Sequence, residues 1–180
     1  SWFGHGELVT MSQVEVTEAG YRLLGNASLC GLYMNEVLVK LLPLNEAEPA
    51  IFDAYQTTLG ALQQQDNEQI LLRLFEKKLL GHLGYGLQLD NEAETHEPVI
   101  DHVQYIYHPD SGPHRYKGAG ESVTISGRSL RHLREEQGFD EASLKQIKTL
   151  MRTVINYHLG GRPLHSRQLF AELNQLKHKK

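Results

Sequence analysis

Cysteine is almost absent from this chain, and it also lacks a long apolar run and a leader-like N-terminus. The single cysteine, Cys30, excludes a disulfide within the chain and a zinc site made of four cysteines. The longest apolar stretch, residues 29–42, is interrupted by charged residues and is shorter than the roughly 20 residues that cross a bilayer. Residues 1–5 lack the basic and apolar regions of a signal peptide. These absences predict a cytoplasmic protein with no membrane partner.

Positive charge is scarce outside one segment. The chain has 18 Lys and Arg against 22 Asp and Glu, and this net charge of −4 argues against DNA binding over the whole surface. Residues 145–180 nevertheless hold eight basic residues and one acidic residue, so this segment carries +7 and the remainder carries −11. Such an asymmetry predicts a basic face for an anionic partner. A solvated helix face with an unstructured basic tail would give the same composition.

The chain is rich in apolar residues that repeat with the spacing of α-helices. The predicted helices cover residues 26–42, 48–64, 66–83, 126–133, 140–159 and 166–176. Asp66 and Gln69 have the spacing of a capping box, while Asp140 is expected to cap the longest helix, which Gly160 and Gly161 end. The first helix, which Asn26 or Ser28 would cap, is apolar nearly all round, so we expect a central, buried helix.

The helical period disappears at the N-terminus and between residues 88 and 127. Residues 6–16 alternate as in a β-strand, and because a lone strand cannot pair its backbone, they indicate a fragment of a larger sheet. In the second region, strands are predicted at 103–107, 115–117 and 122–125, with a turn at 110–113. The chain is therefore predicted to be mainly α, with a small β inset.

No residue pattern in the chain predicts catalysis. His96, His102, His108 and His114 recur every six residues, which leaves a histidine-based metal hydrolase as an alternative. Against it, His102 and His108 flank one predicted strand and would lie about 20 Å apart, whereas zinc ligands lie about 2 Å from the metal. The chain contains no Gly-x-Ser-x-Gly nucleophile motif and no phosphate-binding loop. We therefore predict no catalytic residue, no metal ligand and no cofactor.

Three segments together resemble one family of proteins. Residues 31–38 (GLYMNEVL) are similar to the helix that follows the OB-fold in the bacterial recombination mediator family RecO. Residues 72–86 (LRLFEKKLLGHLGYG) are similar to that family's most recognisable helix and turn, and residues 157–170 (YHLGGRPLHSRQLF) resemble its signature YLGGKPLKSRELF. The three segments keep the family's order and approximate spacing, so the resemblance covers residues 6–176.

The resemblance implies an OB-fold followed by a helical domain that carries a zinc-finger-like β inset. Residues 1–17 would then be a remnant of the OB-fold, with most of that fold absent. Residues 18–180 would form the helical domain, in which residues 88–127 are the inset. Because the inset has no cysteine, we expect it to be metal-free and to fold on its own packing. An OB-fold carries much of a single-strand binding surface, so its absence is expected to weaken binding to single-stranded DNA.

The resemblance also implies a non-catalytic, nucleoid-associated mediator of DNA repair and recombination. Such a protein helps load RecA onto single strands coated by single-strand DNA-binding protein (SSB), works with RecR and anneals complementary strands. The family's helical domain receives the acidic, Phe-ended C-terminal tail of SSB. A tail of this kind needs an apolar pocket with Arg or Lys beside it.

Two sets of residues are the candidate sites. The SSB tail is expected to contact Leu72, Arg73, Lys77 and Arg152, with Arg73 and Lys77 on the outer face of the third helix. DNA is expected to contact four basic residues of the C-terminal segment, Lys145, Lys148, Arg162 and Arg167. A structural helical scaffold that binds neither peptide nor DNA remains the other alternative.

Overall fold

The computed structural model describes residues 2–3, 10–11, 15, 20–43, 47–118 and 124–177, and within them it is mainly helical. The helices are α1 (Asn26–Leu41), α2 (Pro49–Gln63), α3 (Glu68–His82), α4 (Gly127–Glu135), α5 (Glu141–Leu159) and α6 (His165–Lys177). The strands are β1 (Trp2–Phe3), β2 (Thr10–Met11), β3 (Gln104–His108), β4 (Gly112–Arg115) and β5 (Ile125–Ser126). The predicted fold class is confirmed. Across the described ranges, no helix is long and apolar enough to cross a membrane.

The longest helix, α5, begins and ends at the residues that the sequence predicts. The backbone N–H of Ser143 donates to the Asp140 carboxylate at 2.7 Å, and the backbone N–H of Asp140 donates to the Ser143 hydroxyl at 2.9 Å. This reciprocal pair is a capping box, which satisfies backbone donors at the helix start. Gly160 ends the helix with a φ of 59°, a left-handed conformation that glycine adopts without strain.

Two predicted helix starts are corrected by the structure. α3 is capped by Asn67 rather than Asp66, because the Asn67 side chain accepts hydrogen bonds from the backbone N–H groups two and three residues later, at 3.1 and 3.3 Å. α1 begins at Asn26 without a side-chain cap. The Ser28 hydroxyl donates instead to the Leu23 carbonyl at 2.7 Å, so neither predicted residue caps this helix.

The core lies where α1, α3 and α5 meet. α2 packs against α3, α4 packs against α5, and α6 packs against α1. Fully buried core side chains include Met34, Val37, Leu79, Leu80, Ile147, Met151 and Ile155. Burial of each such side chain contributes about 1.5–3 kcal/mol. α1 is central, with contacts to α2, α3, α5 and α6, but Leu32 and Val39 are 50% and 81% exposed, so its burial is incomplete.

The N-terminal prediction falls mostly outside the described residues. Of the predicted strand at 6–16, Thr10 and Met11 form β2, which pairs antiparallel with β1. The boundary predicted at residue 17 also lies outside the described residues.

The β inset contains an antiparallel sheet with strand order β4-β3-β5. The central Tyr105 pairs with Arg115 on one side and with Ile125 on the other. The first predicted strand is confirmed within one residue. The turn is shorter than predicted, because β4 already begins at Gly112, and residues 119–123, where part of the last strand was predicted, lie outside the described residues.

A buried carboxylate ties the inset together. Glu92 is 3% exposed and accepts hydrogen bonds from the hydroxyls of Tyr105 (3.0 Å) and Thr95 (3.1 Å). The Arg115 guanidinium donates two more, at 2.6 and 3.0 Å, and remains partly in solvent. These hydrogen bonds, the one from Arg115 above all, hold the pKa of Glu92 below its usual value. The inset joins the helices through β5, which contacts α4 and α5.

Candidate functional site

A pocket of about 390 Å³ opens between α1, α3, α5 and α6. Its volume falls in the range of small-ligand sites. Four basic residues line it: Arg73, Lys148, Arg152 and Arg167. Its apolar lining includes Leu72, Leu144 and Phe170, one from each of α3, α5 and α6. Glu68 also lines it, so the pocket combines a net positive charge with an apolar surface.

Arg73 forms a buried part of the pocket. Its side chain is 7% exposed, and Nη2 lies 2.9 Å from Oε1 of Glu76, itself 1% exposed. The Tyr33 hydroxyl donates to the same Glu76 oxygen. The Arg73 Nη1 atom is also buried and has no hydrogen-bond partner among the described residues. The Glu76 Oε2 atom is likewise buried without a partner among these residues, so the pair keeps one unused donor and one unused acceptor.

Burial and positive charge alter the acid–base chemistry of the pocket. Burial lowers the pKa of Lys148, and the nearby cations Arg152 and Arg73 lower it further. Burial raises the pKa of Glu76 and outweighs the opposing effect of Arg73. Burial also raises the pKa of the Cys30 thiol to about 12, so this lining residue stays protonated at neutral pH. An anion entering the pocket would relieve the repulsion between its cations.

Arg167 reaches the pocket from α6 and connects it to α1. Its Nη1 donates to Asn156 Oδ1 at 2.5 Å, and its Nη2 lies 3.5 Å from the Tyr33 hydroxyl. The guanidinium carbon stands 5.7 Å from the centre of the Tyr33 ring, a cation–π distance. Tyr33 thus links Arg167 to the Glu76–Arg73 pair.

The start of α6 is fixed by a carboxylate from α1. Glu36 accepts hydrogen bonds from the backbone N–H groups of His165 and Ser166, both at 2.8 Å, and from the Ser166 hydroxyl at 2.6 Å. Lys40 forms an ion pair with Glu36 at 2.9 Å. Partial burial raises the pKa of Glu36, but these donors prevail and lower it from 4.5 to about 2. Glu36 therefore positions the helix that carries Arg167 and Phe170.

The structure brings five of the eight predicted site residues to one place. Leu72, Arg73 and Arg152, predicted for the SSB tail, line the pocket together with Lys148 and Arg167, predicted for DNA. The two predicted sets are therefore not separated in space.

Lys77 is not among the lining residues. Its ammonium donates to the carbonyls of Leu133 and Arg134 at 2.9 and 3.0 Å and pairs with Glu136 at 2.8 Å. It thereby satisfies backbone carbonyls at the C-terminal end of α4. The expectation that Arg73 and Lys77 share an outer face is corrected, because Arg73 is buried within the helix packing.

Lys145 and Arg162 also lie outside the pocket lining. Lys145 is an exposed residue of α5, three positions before Lys148. Arg162 is exposed just beyond the end of α5, and its Nε donates to the Leu159 carbonyl at 3.0 Å. Both residues are exposed to solvent, so a polyanion could contact them.

Sequence reasoning missed three residues that shape the pocket. Leu144 and Phe170 form part of its apolar lining and Tyr33 also lines it, but none of the three was predicted as a site residue. A signal existed for Tyr33 and Phe170, because both lie within the segments that carry the family resemblance. Leu144 offered no such signal.

The spaced histidines do not form a metal centre in the described structure. His108 and His114 face each other across β3 and β4 with ring centres 4.7 Å apart, and the Ser111 hydroxyl lies 2.9 Å from His114 Nε2. Within the described ranges, no group of three or more His, Cys, Asp or Glu is arranged to hold a metal ion.

The fold and the pocket define a class: a mainly α binding domain with a β inset and a basic, partly apolar cleft. A family model described as "Recombination protein O C terminal" matches residues 23–168 of the chain. The chain belongs to the RecO family of DNA repair proteins. The family membership therefore indicates a role in DNA repair and recombination, together with other proteins of that process.

Curated relatives support this assignment over most of the chain. The DNA repair protein RecO of Aromatoleum aromaticum is 40% identical over 176 residues, 97% of this chain and 73% of the relative. The DNA repair protein RecO of Nitrosococcus oceani is 38% identical over 98% of this chain and 72% of the relative. That of Coxiella burnetii is 42% identical over 94% of this chain and 73% of the relative.

Proposed function

We propose that the pocket between α1, α3, α5 and α6 binds the acidic, Phe-ended C-terminal tail of SSB. In this proposal the chain is a non-catalytic mediator in the bacterial cytoplasm that works with RecR, assists RecA loading and promotes strand annealing. The observation that carries the proposal is the unpaired, buried Nη1 of Arg73 in a pocket with three further cations and an apolar wall.

The basic and the apolar residues of the pocket match the carboxylates and the aromatic ring of such a tail. A terminal carboxylate would pair with Arg73, whose planar guanidinium suits a carboxylate. The aromatic ring would pack against Leu72, Leu144 and Phe170. Preceding acidic residues would meet Lys148 and Arg152, which are exposed at the same pocket. Lys145 and Arg162 remain the proposed contacts for DNA phosphates.

The proposal is tested by measuring the fluorescence anisotropy of a labelled acidic peptide that ends in Phe with a free carboxylate. Lys148→Ala combined with Arg152→Ala should weaken binding about tenfold at low salt and less at high salt, since rim charges act through screened attraction. The single variants Lys148→Ala and Lys145→Ala form the matched pair, because each removes one lysine charge from α5 and only Lys148 lines the pocket. The peptide affinity of Lys145→Ala should equal that of the unaltered protein.

The peptide itself provides the second test. Amidation of its C-terminal carboxylate should reduce affinity about tenfold, because one charge-assisted hydrogen bond is lost. Replacement of its terminal Phe by Ala should cause a similar loss, because one buried ring is removed. Equal affinity for the amidated and free peptides would contradict the proposed contact between the terminal carboxylate and Arg73. An equal loss of peptide affinity in Lys145→Ala and Lys148→Ala would contradict the assignment of the peptide to this pocket.

A further inference from the structure

Three aromatic rings lie together beyond the ends of α3 and α5. Tyr85 follows α3, while Tyr157 and His158 belong to the last turn of α5. The Tyr85 ring stacks on His158 with centres 4.0 Å apart and planes 16° apart. Tyr157 meets His158 edge-on, with centres 5.2 Å apart. We call Tyr85, Tyr157 and His158 the aromatic platform; none of them lines the pocket described above.

The platform is open to solvent. Tyr85 is 46% exposed and Tyr157 is 56% exposed, although large aromatic rings gain most by burial. The surrounding turns are built from glycine. A Cβ placed at Gly84, Gly86 or Gly160 would meet no atom within 4 Å, so the backbone is open at these three glycines.

The two chain segments that carry the platform lack acidic residues. Residues 77–88 and 142–171, which include all three rings, contain no Asp or Glu. Lys78 and Arg162 are exposed in these segments. Burial lowers the pKa of His158, which favours its neutral form, and its ring supports the two tyrosines.

We propose that the aromatic platform stacks unpaired bases of single-stranded nucleic acid, with Arg162 and Lys78 near the phosphates. Every base has a π face, so stacking on tyrosine binds single strands with little regard to sequence. Paired bases in a duplex cannot offer these faces, so the platform selects single strands. This inference rests on the proposed action on single-stranded DNA, but it assigns that contact to a surface separate from the peptide pocket.

The test uses the whole chain and a labelled oligothymidylate, with a duplex of equal length for comparison. Tyr157→Leu should weaken single-strand binding about tenfold, as expected for one lost base stack. Tyr157→Phe, which keeps the ring, should bind like the unaltered protein. Phe52→Leu is the matched control, because Phe52 is 58% exposed on α2, outside the platform. The loss in Tyr157→Leu should persist at high salt, since stacking releases no counterions.

Tyr157→Leu is the deciding variant, because Tyr85 also packs on His158 and its loss can disturb the turn. Equal losses in Tyr157→Leu and Phe52→Leu would overturn the proposal, as would unchanged single-strand affinity in Tyr157→Leu. Equal losses for single strand and duplex would assign the surface to another kind of contact and would also overturn it. Peptide affinity, measured on the same variants, should be unchanged, so failure of the platform is distinguishable from failure of the pocket.

Discussion

At the scale of single residues, the centre of the pocket is a buried network of Arg73, Glu76 and Tyr33. Its Arg73 and Glu76 side chains are 7% and 1% exposed, and Arg73 keeps one nitrogen without a partner among the described residues. A buried ion pair contributes little net stability, because desolvation offsets the attraction. In the proposed peptide site, Glu76 would fix the orientation of Arg73.

We expect Glu76→Ala to lower the free energy of unfolding by about 3–5 kcal/mol, because it leaves the Arg73 cation buried without its counter-ion. Tyr33→Phe should cost about 1 kcal/mol, the value of one hydrogen bond. Urea denaturation measures both, and Lys78→Ala, an exposed position of the same helix, should change stability by less than about 0.5 kcal/mol.

The double variant Arg73→Met, Glu76→Leu provides the counter-test. It replaces the ion pair by apolar side chains and should recover most of the stability lost in Glu76→Ala. It should nevertheless fail to bind the acidic peptide. Strong peptide binding by this variant would contradict the role given to Arg73.

At the scale of helices, α6 depends on α1 for its position. Glu36 provides three hydrogen bonds to the first residues of α6, which in turn carries Arg167 and Phe170 to the pocket. The three segments that resemble the RecO family thus meet through a few contacts: Glu36 with Ser166, Tyr33 with Glu76, and Arg167 with Tyr33. Their similarity reflects one connected arrangement rather than three independent ones.

We expect Glu36→Gln to lower the free energy of unfolding by about 1 kcal/mol at pH 7, since it weakens a helix cap. The pKa of Glu36 is lowered to about 2, so the carboxylate stabilises the fold above pH 4.5 and this contribution is lost as the pH falls toward 2. The stability difference between the two proteins should therefore shrink over that interval. Denaturant unfolding at several pH values measures it.

Glu97→Gln, an exposed position in the inset, is the control for the Glu36 experiment. A difference between Glu36→Gln and the unaltered protein that stays constant from pH 5 to pH 2 would contradict the capping role. Reduced peptide affinity in Glu36→Gln is also expected, because α6 carries part of the pocket.

At the scale of the whole molecule, the β inset and the pocket are separate. No lining residue of the pocket lies in residues 88–127, and the inset contacts α4 and α5 through β5, and α4 also through the Asp101–Arg131 ion pair. The inset has its own centre at Glu92, whose hydrogen bonds to Tyr105, Thr95 and Arg115 connect its strands to its loop. Stability of the inset and ligand binding by the helices should therefore vary independently.

Glu92→Ala should destabilise the inset by about 1–3 kcal/mol, because buried Tyr105 loses its acceptor while Arg115 returns to water. Hydrogen exchange should accelerate at β3 and β4, and peptide affinity should stay unchanged. Glu97→Ala, an exposed position of the same loop, should leave exchange in these strands unaltered. Loss of peptide binding in Glu92→Ala would show that the inset and the pocket are coupled.

The sequence by itself determined the helices, the longest helix's ends and the family. Helical periodicity, the Asp140 cap and the Gly160 terminus depend on residues within a few positions of each other, so they can be recognised without a structure. The β inset was located for the same reason, from its turn signal and alternating strand.

Only the tertiary structure decided which charged residues form the site. Arg73 and Lys77 are neighbours on one helix, yet one is buried with Glu76 and the other binds the end of α4. Lys148 and Arg167 join the pocket while Lys145 stays outside it. These outcomes depend on how α1, α3, α4, α5 and α6 pack, and contacts between residues far apart in the chain leave no local pattern in the sequence.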